Sequence, residues 1–117
     1  MAHVHVLSDD LLFGSRLQAD LTAAGHDVTL GPRADPAAEA IIADLTHDAD
    51  ACLAELGLGR DRGPDGPPRP PVLAFFAHVE PDVRERALAA GVDLAVPRSR
   101  IAREGPALLA GLLATAR

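Results

Sequence analysis

Five short apolar runs recur along the chain, separated by longer segments in which apolar residues return every three or four positions. The runs are HVHVL (His3 to Leu7), DVTL (Asp27 to Leu30), AIIADL (Ala40 to Leu45), VLAFF (Val72 to Phe76) and DLAVP (Asp93 to Pro97). Most are apolar at consecutive positions, which suits strands covered on both faces rather than strands with one wet side. The intervening segments have helical period. Leu12, Leu17, Leu21 and Ala24 fall along one stripe that Gly25 ends. ACLAEL forms a further helix, and PDVRERALAAG opens on proline, buries Val83, Ala87, Leu88 and Ala90 and stops at Gly91. A closing helix runs from about Ile101 to Ala116 through Leu108, Leu109, Leu112 and Leu113, with Gly105, Pro106 and Gly111 loosening its first turns. Strands alternating with helices in this way predict an α/β layer fold around a parallel sheet.

Two stretches break the rhythm. Gly31 to Glu39 barely leaves room for a crossover helix, so one or two turns near Asp35, or a loop, are expected there. Gly57 to Pro71 is too rich in glycine and proline for helix or strand and predicts a mobile surface loop. Its Gly57, Gly59 and Gly63 have the spacing of some dinucleotide fingerprints, but they follow a helix, whereas a phosphate-cradling turn follows a strand and opens a helix.

At 117 residues, the chain is expected to be a single domain spanning 1–117 with one core. No apolar run reaches the length of a membrane span and the first residues lack the order of a secretory signal, so a cytoplasmic protein is expected. A formal net charge of −6 argues against nucleic acid as a partner and favours proteins or small ligands. All of the basic residues are arginine. The absence of lysine excludes a Walker-type phosphate loop, a Schiff-base nucleophile and a Ser-Lys dyad. Cys52 permits no internal disulfide and is simplest as a small buried apolar residue.

In an open parallel sheet the functional crevice lies at the carboxyl ends of the strands. The first strand ends there in Ser8, Asp9 and Asp10, the third around Asp44 with Thr46 and His47 beyond, the fourth in Phe76, Ala77 and His78, and the fifth in Pro97, Arg98 and Ser99. The second offers little. If the first and third strands are neighbours, Asp9, Asp10 and Asp44 converge, and Mg²⁺ is the natural cation for such a pocket, beside an aspartate able to attack phosphorus and an Arg98 able to steady the charge. Helix capping by Ser8, Asp9 or Asp10, and by Asp48, accounts for the same residues without any ligand. His3 and His5 share a strand face, which suits partly buried polar residues better than a two-ligand metal clamp. Ser8, His78 and Asp44 compose a conceivable hydrolytic triad, but no nucleophile-elbow GxSxG is present.

The order VLSDDLLFGSRL, then IIADLT, then FFAHVEPDVRERALAAGVDLAVPRS resembles the receiver domain of bacterial two-component response regulators, over essentially the whole chain. The resemblance implies a doubly wound five-stranded parallel sheet in the order 2-1-3-4-5, as in flavodoxin and CheY-like folds, here with a shortened second helix. It implies that Asp44 is the phosphoacceptor and that Asp9, with either Asp10 or Ser8, is the acidic pair that holds Mg²⁺. Reading DD as the pair takes Asp9 and Asp10; aligning LLFGSRL with its usual counterpart takes Ser8 and Asp9.

The departures from the family pattern are as informative. Phe76 stands where the family has a threonine or serine that couples the phosphoryl group to the switch. Arg98 then Ser99, with Pro97 one place early, stand where it has lysine then proline, and a planar guanidinium is no equivalent of an ammonium at a fitted phosphate site. The usual Pro and Gly after the phosphoacceptor are missing from DLTHDADA. These departures favour a pseudo-receiver, a signalling module rather than an enzyme, acting by protein–protein interaction. A working phosphoacceptor and a small-ligand sensor or enzyme in the same crevice are the alternatives. Partners implied are a histidine kinase or a downstream regulator, and a homodimer through the face made by the 81–91 helix, the fifth strand and the closing helix. Arg84, Arg86, Arg98, Arg100 and Arg103, near the 81–91 helix and the fifth strand, suit an acidic partner or, more simply, solvate two helices and offset local negative charge.

Overall fold

A computed structural model of the chain describes residues 2–33, 35, 37–46, 49–56, 70–77 and 81–115. The elements in order are β1 (His3–Leu7), α1 (Leu11–Ala23), β2 (Asp27–Gly31), β3 (Ala40–Asp44), α2 (Ala49–Leu56), β4 (Val72–Phe76), α3 (Pro81–Ala90), β5 (Leu94–Pro97) and α4 (Arg98–Thr115). The strands form one parallel sheet in the order β2-β1-β3-β4-β5, as expected.

The alternation of side chains across the pleat divides the core in two. Val4, Val6, Ile42, Leu73, Phe75 and Val96 pack with Leu17 and Leu21 of α1 and Ile101, Leu109 and Leu112 of α4. On the other face Leu7, Ile41, Ala43, Val72, Ala74 and Phe76 pack with Ala49 of α2 and Val83 and Ala87 of α3. Covering both faces explains why β3 and β4 are buried at every position, while β2, at the sheet margin, is nowhere fully buried.

The helix ends have local causes. Asp10 caps α1, its Oδ1 accepting from the Phe13 amide at 3.1 Å. Gly25, at φ +98°, ends it, and the His26 amide reaches back to the Leu21 carbonyl at 3.2 Å. Gly91 repeats the device at φ +107° after α3. The closing helix begins at Arg98, directly after β5, rather than near Ile101. Gly105 and Pro106 lie inside it, and a Cβ at Gly105 would meet Leu17 Cδ1 at 3.2 Å, so the glycine lets α4 approach α1. Between β2 and β3 no helix is found among the described residues; Asp35 instead makes a turn, its Oδ1 accepting from the Ala37 amide at 2.9 Å. Of the loop expected from Gly57 to Pro71, residues 57–69 lie outside the described residues. Among the described residues no helix is long and apolar enough to cross a membrane.

Candidate functional site

Because the strands run parallel, their carboxyl ends share one rim, and β1 and β3 are adjacent there, with Leu7 opposite Ala43. A cleft of about 410 Å³ opens between the ends of β1 and β3, the residues after β2, and α2. Asp44, the last residue of β3, is only 8% exposed beneath it.

The Asp44 carboxylate is engaged by the chain on both oxygens. Oδ2 accepts from the Ser8 hydroxyl at 2.6 Å. Oδ1 accepts from the Thr46 amide at 2.9 Å and the Thr46 hydroxyl at 2.5 Å. Ser8 is itself buried, and its Oγ accepts from the Asp10 amide at 3.0 Å. A hydroxyl has one proton to give, and here it is given to Asp44.

The three residues after β1 thus have three different surroundings. Ser8 touches Asp44, Asp9 is exposed and lines the cleft, and Asp10 caps α1, with its Oδ2 3.6 Å from Arg98. The Arg98 guanidinium lies over the Phe13 ring at 4.2 Å from its centroid, and Phe13 in turn packs at 5.1 Å on Phe75. Pro97, not Arg98, is the β5 residue in register with Phe76. Phe76 is 4% exposed and packs into the core beneath α2 and α3, away from the cleft. Ala77 and Thr46 are half-buried and Ser99 is exposed in the first turn of α4. His47, Asp48 and His78 lie outside the described residues.

Two expectations need correction. The end of β2 does contribute, since Pro32 and Arg33 follow it directly and form one wall of the cleft. Their place immediately after a strand was the available signal. Cys52 is half-buried and lines the cleft from α2 beside Glu55, rather than being an interior apolar residue. Arg33 is the cationic residue lining a cleft otherwise charged by Asp9, Asp44 and Glu55.

For a divalent cation the donor set is thin. Among the described residues no group of three or more His, Cys, Asp or Glu is placed to hold a metal ion. Asp10 is turned to the helix terminus, and Asp44 already accepts three hydrogen bonds. The residues present do not fit Mg²⁺ as an acidic trio would.

No protein-family model matches the chain, and no curated protein does. Solved structures do. The receiver domain of the TMAO respiratory system response regulator TorR aligns with a TM-score of 0.78 at 19% identity, covering 100% of both chains. The Francisella response regulator 1452 receiver domain aligns with a TM-score of 0.77 at 15% identity, again covering 100% of both. A response regulator receiver domain protein from Clostridium thermocellum aligns with a TM-score of 0.73 at 12% identity, covering 98% of this chain and 96% of that one. The chain has the fold of response regulator receiver domains.

Proposed function

From a receiver-like fold, we propose a signalling module that works by binding a protein partner, its phosphoacceptor position held out of use by its own hydrogen bonds. The observation that carries this is the engagement of both Asp44 oxygens by the chain's own donors. A carboxylate has about four lone-pair positions, and three of them here accept from Ser8 and Thr46. Attack on phosphorus needs a free carboxylate oxygen and cations to neutralise the incoming charge. Arg98 is occupied by Asp10 and the face of Phe13, and Phe76 offers no hydroxyl.

The partner is a histidine kinase, a downstream regulator or a second copy through the face of α3, β5 and α4. Arg84 on α3 and Arg100 and Arg103 on α4 are exposed cationic groups of these elements, while Arg86 is paired with Asp50 of α2 at 2.6 Å.

The test is incubation with Mg²⁺ and acetyl phosphate followed by intact mass. In a working receiver an Asp44 oxygen would form a bond to phosphorus as the bond to acetate breaks, adding one phosphoryl group. No gain, together with no binding of beryllofluoride, is expected. A phosphoryl gain that disappears in Asp44→Asn would overturn the proposal in favour of a working phosphoacceptor.

A further inference from the structure

The margin of the sheet at β1 and β2, on the face covered elsewhere by α2 and α3, carries a hydrogen-bonded chain of polar side chains that the cleft does not use. His3 and His5 point to this face from β1, Thr29 and Asp27 from β2, and Asp35 meets them from the connection that joins β2 to β3.

The direction of each hydrogen bond follows from the acceptors. The Thr29 hydroxyl donates to Asp35 Oδ2 at 3.3 Å, so it accepts from His5 Nδ1 at 2.8 Å. His3 Nε2 lies 2.8 Å from the same Asp35 oxygen, and His3 Nδ1 lies 3.3 Å from Asp27 Oδ2. With a carboxylate at each ring nitrogen, only the imidazolium form of His3 donates to both; the neutral ring must leave one carboxylate facing a lone pair. The backbone adds a second tie, the His3 amide donating to Glu39 Oε2 at 2.6 Å and the Glu39 amide to the His3 carbonyl at 2.7 Å.

The connection fastened in this way is the one that begins with Pro32 and Arg33, the wall of the cleft opposite Asp44. We propose that His3 is a proton-operated clasp: its imidazolium draws the β2–β3 connection onto the sheet and holds the Pro32–Arg33 wall in place, and loss of the proton replaces the two charge-assisted bonds to Asp27 and Asp35 with one neutral bond and loosens that wall. The clasp rests on the geometry of the sheet margin and is independent of the function assigned to Asp44.

The local charges act in the same sense. The Asp35 hydrogen bond, opposed by desolvation and reinforced by Asp27, raises the His3 pKa above the ordinary 6.5. The His3 contact, with help from the Ala37 amide, lowers Asp35 below its ordinary 3.8. The ionisable groups facing His3 among the described residues are Asp27 on β2, Asp35 and Glu39 on the connection, and His5 on its own strand; His26, before β2, accepts from the Ala2 amide nearby. The pair is complete between the lowered value of Asp35 and the raised value of His3. Its stabilisation is fully present below pH 6.5 on the alkaline side and is lost as pH rises through the raised His3 value.

The experiment is an NMR titration of the intact chain, following the His3 ring protons and the amides of Arg33 and Ala37. The His3 midpoint is expected above 6.5, with both amides shifting at the same midpoint. In Asp35→Asn the midpoint should fall and the amide response should vanish; Asp27→Asn, removing the longer contact, should lower it less. The two variants are read separately, so misfolding of one leaves the other decisive. An unmoved midpoint in a folded Asp35→Asn, or amides of Arg33 and Ala37 that stay silent while His3 titrates, would overturn the clasp. Neither reading involves phosphoryl transfer or partner binding.

Discussion

Replacing Ser8 by alanine removes one oxygen and two hydrogen bonds from the centre of the site. The larger loss is the 2.6 Å donation to Asp44, a bond to a charged group whose net worth is about 1.5–3 kcal/mol. The second is the acceptor for the Asp10 amide at 3.0 Å, a neutral bond worth about 1 kcal/mol. Asp44 borders an open cleft, so water recovers part of the loss, and Ser8→Ala should cost about 2 kcal/mol. With a urea slope of about 1–3 kcal/mol per molar for a small domain, the unfolding midpoint should fall by about 1 M. A double-mutant cycle isolates the pair: in an Asp44→Asn background, Ser8→Ala should cost at least about 1 kcal/mol less. A loss under about 0.5 kcal/mol, or costs that simply add, would refute the reasoning that Ser8 holds Asp44.

Phe76→Ala should cost about 3–5 kcal/mol in urea unfolding, because the ring is core and not a cover for the cleft; a near-neutral result would return it to the rim. Gly25→Ala meets no atom within 4 Å yet places alanine at φ +98°, so about 1–2 kcal/mol should be lost through backbone strain alone, checked by thermal unfolding. The melting temperature should fall as pH rises through the raised His3 value, and Asp35→Asn should weaken that dependence.

The strands were legible because most are short runs of consecutive apolar residues, and their observed limits lie within one residue of those runs. α4 began earlier than its apolar stripe suggested, because the first turn is polar and arginine-rich, and Ile101 is the first of its residues to enter the core. Its Gly105 looked like a weakness in isolation; contact with Leu17, remote in sequence, gives it a purpose. Strand ends located Ser8, Asp9 and Asp44 at one rim, since parallel pairing fixes which end each residue occupies. Composition said nothing of how they divide the work. Whether Asp10 faces the cleft or caps α1 depends on one backbone turn, and the Ser8–Asp44 bond spans 36 positions. The His3–Asp35 contact spans 32 and joins a strand to a connection in which no helix or strand is found among the described residues, so no periodic pattern announces it.

The marginal place of β2 bears on how the fold opens. One of its flanks pairs with β1, and among the described residues no other strand pairs with it, while its residues are half-buried at best. Breathing of the native state should therefore start at this border, with the amides of Thr29 and Leu30 exchanging with deuterium ahead of those of Ile42 and Leu73 in the middle of the sheet.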